Sequence, residues 1–202
     1  CITGNCPRKS NDPIGVRNFI KASENHLILS LDFSQIELRV GAFYCRDKTM
    51  METYQNGGDI HAATTSVIFG CTYEEAQEYK EQRTIAKNVN FGTFYGLFPK
   101  GLQSTLKFKA GVEKSIIECE EIIRNLKAGY PALTTWQEET KAVAKQKMYT
   151  ETWLGRRRYL PNIRSDNWGL QSFAERCALN TPIQGTAADI LKLAIVRILE
   201  GL

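Results

Sequence analysis

The chain has 202 residues, 43% of them hydrophobic and 24% charged, which is the balance of an ordinary globular protein with apolar residues enough for one core or two small lobes. A formal charge of +4 excludes a strongly basic tail or an acidic solvating segment, and it permits a nucleic-acid partner without arguing for one. Six cysteines (Cys1, Cys6, Cys45, Cys71, Cys119, Cys177) form no CxxC pair and only His26 and His61 accompany them, which speaks against a disulfide framework or a zinc site and for buried thiols in a reducing compartment.

Residues 1–18 carry Gly4, Pro7, Asn11, Asp12, Pro13 and Gly15, the chemistry of a loop. HLILSLDF (26–33) is a short apolar run that reads as a strand ending on Asp32. In the following SQIELRVGAFY (34–44), Ile36, Val40 and Phe43 recur as a helical stripe, and Ser34 with Glu37 fits a capping box. Residues 46–58 are polar, end in Gly57-Gly58 and read as a loop. Asp59 opens a helix through Ile68 that Gly70 stops, and Thr72 with Glu75 is a second capping box, starting a helix that runs into 83–96.

Further on, the apolar positions from Ile116 to Leu126 place a helix within 112–127, ended by Gly129 and Pro131, and another helix follows over 132–147. MYTETWLGRRRYLPNI (148–163) reads as a β-hairpin with a basic tip. Thr181-Pro182 opens a last helix to about residue 200, with Pro at its first position and Ile183, Ala187, Ile190, Leu191, Ala194, Ile195 and Ile198 as its apolar residues. A nearly all-helical middle between strand-bearing flanks predicts an α+β fold, a helical lobe inserted into a sheet-containing one. No apolar run is long enough to cross a bilayer, so no membrane partner is expected. The chain starts at Cys1 and stops inside a helical pattern, which reads as an internal piece of a longer polypeptide.

RTIAKNVNFGTFYG (83–96) is a poor helix by propensity. Yet Arg83, Lys87, Phe91 and Tyr95 recur every fourth residue and spread over about 120° of one face. Two cations one turn apart suit a polyanion such as a triphosphate, and the aromatics beyond them could stack on a sugar or a base. The same spacing equally fits a half-buried helix with core aromatics and solvated cations. Asp32 at a strand end is placed as a metal-binding carboxylate would be, or as a simple turn residue. His61 could be a local hydrogen-bond partner, Arg156-Arg157-Arg158 could be solvated or bind a nucleic-acid backbone, and Gln184 beside Gly185 could read a groove edge.

Together these segments resemble the family A DNA polymerases, the bacterial DNA polymerase I type. LDFSQIELR (31–39) resembles motif A and RTIAKNVNFGTFYG (83–96) resembles motif B. DIH (59–61), GRRRYLP (155–161) and ERCALNTPIQGTAAD (175–189) are similar to further segments in the family's order. The resemblance covers nearly the whole chain after about residue 13.

The resemblance implies a right-hand architecture: a partial antiparallel-sheet palm over residues 1–48, helical fingers over 49–174 with the motif B helix at about 81–96, and a palm helix over 175–202. It implies template-directed attack of a primer 3′-hydroxyl on a dNTP, assisted by two magnesium ions about 3.5–4 Å apart. Asp32 would bind both metals and the Phe33 carbonyl one of them. Arg83, Lys87 and His61 would hold the triphosphate, Asp32, Lys87 and Arg83 forming the catalytic set. Glu37 would gate against a ribose 2′-hydroxyl, Phe91 would pack on the sugar and Tyr95 would sit near the template base. Arg176, Asn180, Gln184, Arg156 and Arg157 would face DNA, Gln184 at the minor groove.

The partners implied are primer–template DNA and dNTPs, for a monomer in the cytoplasm of a bacterial or phage-infected cell. The chain departs from the family pattern at Phe33, where Tyr is commoner, and at Asn5, where Arg is usual. Motif C, with the second metal-binding carboxylate, is expected downstream of Leu202, so the 202 residues alone are expected to be inactive. The rival expectations are a non-catalytic nucleic-acid-binding module of polymerase-like shape, a helical interaction domain, and a family A RNA polymerase, against which Glu37 speaks.

Overall fold

The computed structural model describes residues 15–201, and the chain divides into two units, Cys1–Ser34 and Gln35–Leu202. In the first unit a short 3₁₀ turn, Val16–Phe19, precedes a turn in which the His26 N–H donates to the Ser23 carbonyl at 3.0 Å. The loop expected over 1–18 lies, up to residue 14, outside the described residues. The strand expected over 26–33 does not form among them. A strand persists only where its N–H and C=O groups find a ladder, and the one ladder among the described residues lies elsewhere. Leu27, Leu29 and Leu31 are all exposed, Leu27 at 98%.

In the second unit α1 (Ile36–Cys45) follows Gln35, which takes the left-handed conformation and makes no side-chain cap bond. Gln35 rather than Ser34 is thus the N-cap position, and the Glu37 carboxylate is held by a distant tyrosine. Helix α2 (Lys48–Gln55) occupies what reads in sequence as a loop. Its sequence is polar, with Met50 alone fully buried, so periodicity gives little sign of it. Its N-cap is Asp47, whose carboxylate accepts from the Met50 N–H at 3.2 Å.

Helix α3 (Ile60–Phe69) is the hub of this unit. Seven of its ten residues are buried, on every face, and α4 (Tyr73–Glu78), α5 (Lys80–Thr93) and α7 (Ile116–Gly129) pack around it. Asp59 caps it and Gly70 ends it at φ 66°, as the sequence predicts. The Thr72–Glu75 capping box is present at α4, but α4 stops at Glu78 and Tyr79 breaks the backbone before α5 begins. A second capping box, Ser115–Glu118, opens α7.

Between α5 and α7 lie α6 (Pro99–Thr105) and a π turn, Leu106–Ala110, neither evident from the sequence. Pro131 does not merely end α7; it is the first residue of α8 (Pro131–Lys147). The core gathers Leu38, Val40, Ile60, Ile85, Val89, Phe94, Leu126, Tyr130 and Ile183 from these elements.

The expected hairpin is β1 (Tyr149–Glu151) antiparallel to β2 (Arg157–Tyr159), with Glu151 opposite Arg157 and Gly155 at φ 81° in the turn. The last helix does not open at Pro182. Helix α9 (Trp168–Asn180) runs into a π turn, Thr181–Gly185, and on into α10 (Thr186–Gly201). The π turn takes up the proline that an unbroken α-helix would not accept. The described residues are thus mostly helical with one small antiparallel sheet, an α+β fold.

Candidate functional site

Helix α5 is amphipathic. Ile85, Ala86, Val89, Asn90 and Thr93 face the core, which leaves Arg83, Lys87 and Phe91 at one-turn intervals on the outward side. Lys87 and Phe91 are exposed, so Phe91 is not a core aromatic. The helix ends at Thr93, before Tyr95, which sits half-buried in the turn that Gly96 closes at φ 75°. Low propensity at this end is offset by tertiary contacts: the Gln137 amide of α8 donates to the Thr93 carbonyl at 2.5 Å.

Arg83 closes on the cap of α3. Its Nε and Nη2 donate to Asp59 Oδ2 at 3.0 and 2.5 Å, while Asp59 Oδ1 accepts from the His61 N–H at 2.9 Å. Burial pushes the Asp59 carboxyl up, but Arg83 and the His61 N–H together hold it below its usual range. His61 is 5% exposed. Burial drives its pKa down, against the pull of Asp59, and the positive charges of Arg83 and Lys87 lower it further. The imidazole is neutral at pH 7.

Its Nδ1 meets the Asn90 amide nitrogen at 3.0 Å, and the Asn90 carbonyl oxygen accepts from the Thr64 hydroxyl, which touches Tyr130 Oη, both at 3.0 Å. These partners, like Asp59, are missed by sequence reasoning; Asp59 is visible as a helix cap, but nothing local announces Asn90, Thr64 or Tyr130.

Glu37 and Tyr95 meet across 58 residues, the Tyr95 hydroxyl donating to Glu37 Oε2 at 2.5 Å. Gln184, exposed on the π turn, lies near the same hydroxyl. Burial, and then the Glu37 carboxylate, push the Tyr95 hydroxyl's pKa up, so it stays a donor. Arg156 Nε donates to Asp189 Oδ1 at 3.0 Å and Nη2 donates to the Gly185 carbonyl at 3.1 Å. Arg157 stacks over the Tyr149 ring at 4.6 Å and pairs with Glu151 at 3.4 Å. On α9, Arg176 Nη1 donates to Ser172 Oγ at 2.7 Å and Asn180 is half-buried.

Glu37, Tyr95 and Gln184 thus form one contact set, and Asp59, His61, Arg83 and Asn90 form another. Asp32 and Phe33 are exposed and belong to the first unit. They supply two oxygen donors. No three His, Cys, Asp or Glu side chains group together among the described residues.

An outward face of guanidinium, ammonium and phenyl groups, with a carboxylate and an amide gathered near its far end, suits a ligand that is anionic at one end and flat at the other. Residues 3–202 match the sequence profile of DNA polymerase family A. The chain belongs to that family. It is 37% identical over 194 residues to DNA polymerase I of Pseudomonas aeruginosa, covering 96% of this chain and 20% of that protein. To DNA polymerase I of Geobacillus stearothermophilus it is 41% identical over 178 residues, 88% of this chain and 19% of the relative.

Among solved structures, the POL domain of Pol1 from M. smegmatis, in complex with DNA primer-template and dNTP, superposes with a TM-score of 0.76 at 35% identity, covering 84% of this chain and 29% of that one. The chain thus spans about a fifth of the length of these curated family A relatives. No helix among its described residues is long and apolar enough to cross a membrane.

Proposed function

We propose that this chain is the nucleotide-selecting part of a DNA polymerase that adds dNTPs to a primer 3′-hydroxyl under the direction of a template. The observation that carries the reading is the outward face of α5, where Arg83, Lys87 and Phe91 follow at one-turn intervals in a family A chain. The M. smegmatis relative, in complex with primer-template DNA and dNTP, supports the same partners here. Residues 1–48 and 175–202 would belong to the palm and 49–174 to the fingers.

Arg83 and Lys87 supply charged donors to the triphosphate, with Arg83 aimed by its bond to Asp59. His61, neutral, adds a hydrogen bond without adding charge. Phe91 packs against the deoxyribose and Glu37, pinned by Tyr95, crowds the 2′ position. Gln184 offers its amide to the minor-groove edge of the duplex, with Arg157, Arg176 and Asn180 along the backbone. Positioning and charge stabilisation are the chain's share of the chemistry. Divalent ions, magnesium by expectation, would be held in part by Asp32 and the Phe33 carbonyl.

Single-turnover extension by the intact polymerase tests the reading. Lys87→Ala is expected to lower incorporation efficiency by about 100-fold while leaving primer–template affinity nearly unchanged. Equal efficiency in the variant and the parent would refute the triphosphate role of α5.

A further inference from the structure

The π turn that carries Gln184 is braced on one side by the β1–β2 hairpin. Pro182 has no N–H to offer the Ala178 carbonyl four residues earlier, and the Thr150 hydroxyl of β1 donates to that carbonyl at 3.2 Å. Gly185 packs directly on Thr152; a Cβ there would lie 2.5 Å from Thr152 Cγ2. The Trp153 N–H donates to Thr186 Oγ1 at 2.9 Å. Arg156 closes the bracket, with one nitrogen on the Gly185 carbonyl and a second contact to Asp189, one helical turn further along and only 8% exposed. Five contacts from four residues of one short hairpin therefore fall on Ala178, Gly185, Thr186 and Asp189, on both sides of Gln184, while Gln184 itself is left exposed near the Tyr95 hydroxyl.

We infer that the hairpin is a clamp that sets the position of the Gln184 amide, and that Arg156 is its principal positioning residue rather than a direct DNA contact. A guanidinium engaged by a carboxylate and a carbonyl has fewer donors for phosphate, and its planar fork ties the Gly185 backbone to the Asp189 side chain of the following helix. A neutral amide that must meet a groove acceptor at hydrogen-bond distance loses its contact when its backbone moves by about 1 Å. The inference rests on the proposed role of Gln184 at primer–template DNA.

The test uses the intact polymerase with Arg156→Ala, Gln184→Ala and the double variant, each assayed for single-turnover extension. Two DNA primers are compared, one ending in 2′-deoxyguanosine and one in 3-deaza-2′-deoxyguanosine, which lacks the minor-groove acceptor nitrogen. Arg156→Ala is expected to lower extension of the natural primer by about 10- to 100-fold, as Gln184→Ala does, and the double variant is expected to be no worse than Gln184→Ala. The natural-to-deaza preference should fall toward unity in each.

The clamp is overturned if the two losses multiply, or if Arg156→Ala keeps the preference. It is equally overturned if Arg156→Ala lowers the salt slope of DNA binding by about one, the mark of a lost phosphate contact. Should Arg156→Ala fail to fold, Asp189→Asn loosens the same guanidinium without removing it and carries the same expectations. A parent enzyme that does not extend primers at all would refute the functional reading instead, so the two failures are distinct.

Discussion

His61 is the residue whose chemistry is most altered by its surroundings. Its ring is buried, Asn90 holds one nitrogen, and Arg83 and Lys87 stand nearby, so its pKa lies below the ordinary histidine value of about 6.5. The unfolded chain therefore takes up a proton before the folded one does. Stability contributed by this residue is complete above about pH 6.5 and is lost as pH falls from there toward the folded pKa. Imidazole NMR of the chain, which has only His26 and His61, should show the His61 signal titrating at a midpoint below 6.5. A midpoint above that value would contradict the burial argument. Spacing alone singles out Arg83 and Lys87, because four residues make a helical turn. The partners of Arg83 and His61 lie 24 and 29 residues away in sequence, and only tertiary packing brings them in.

At the scale of elements, α5 stays helical to Thr93 although its residues favour helix poorly. The surrounding helices supply what propensity lacks. Its end is seated on α1 through a close approach: a Cβ at Gly41 would lie 2.5 Å from Phe94, itself only 2% exposed and with little room to yield. That contact fixes the turn carrying Tyr95 and so the bond to Glu37. Gly41→Ala is expected to destabilise the protein by about 1–3 kcal/mol through overpacking, read as a lower denaturant midpoint with unchanged slope. An unchanged midpoint would mean that the joint is looser than its geometry.

Caps and glycines made α3, the start of α4 and the hairpin legible in sequence, because their signals are local. Helix α2 was illegible because only Met50, Met51 and Tyr54 of its eight residues are non-polar, too few in a short segment to show a period. The strand over 26–33 was misread because an apolar run reports burial or pairing partners that the run itself does not contain.

At the scale of the whole molecule, the chain brings together in its second unit the residues proposed for nucleotide selection, and it carries Asp32 in its first unit. Family membership was legible because motifs in a fixed order are read without any structure. The arrangement of Glu37, Tyr95 and Gln184 was not, since it joins α1, the end of α5 and the π turn. The central claim is that these residues belong to a polymerase active site whose metal-binding carboxylate is Asp32. The measurement that bears on it most directly is primer extension by the intact polymerase and its Asp32→Ala variant on a primed template with dNTPs and magnesium. The account predicts that the parent extends and that the variant is slower by about a thousandfold or more. Equal extension by both would contradict it.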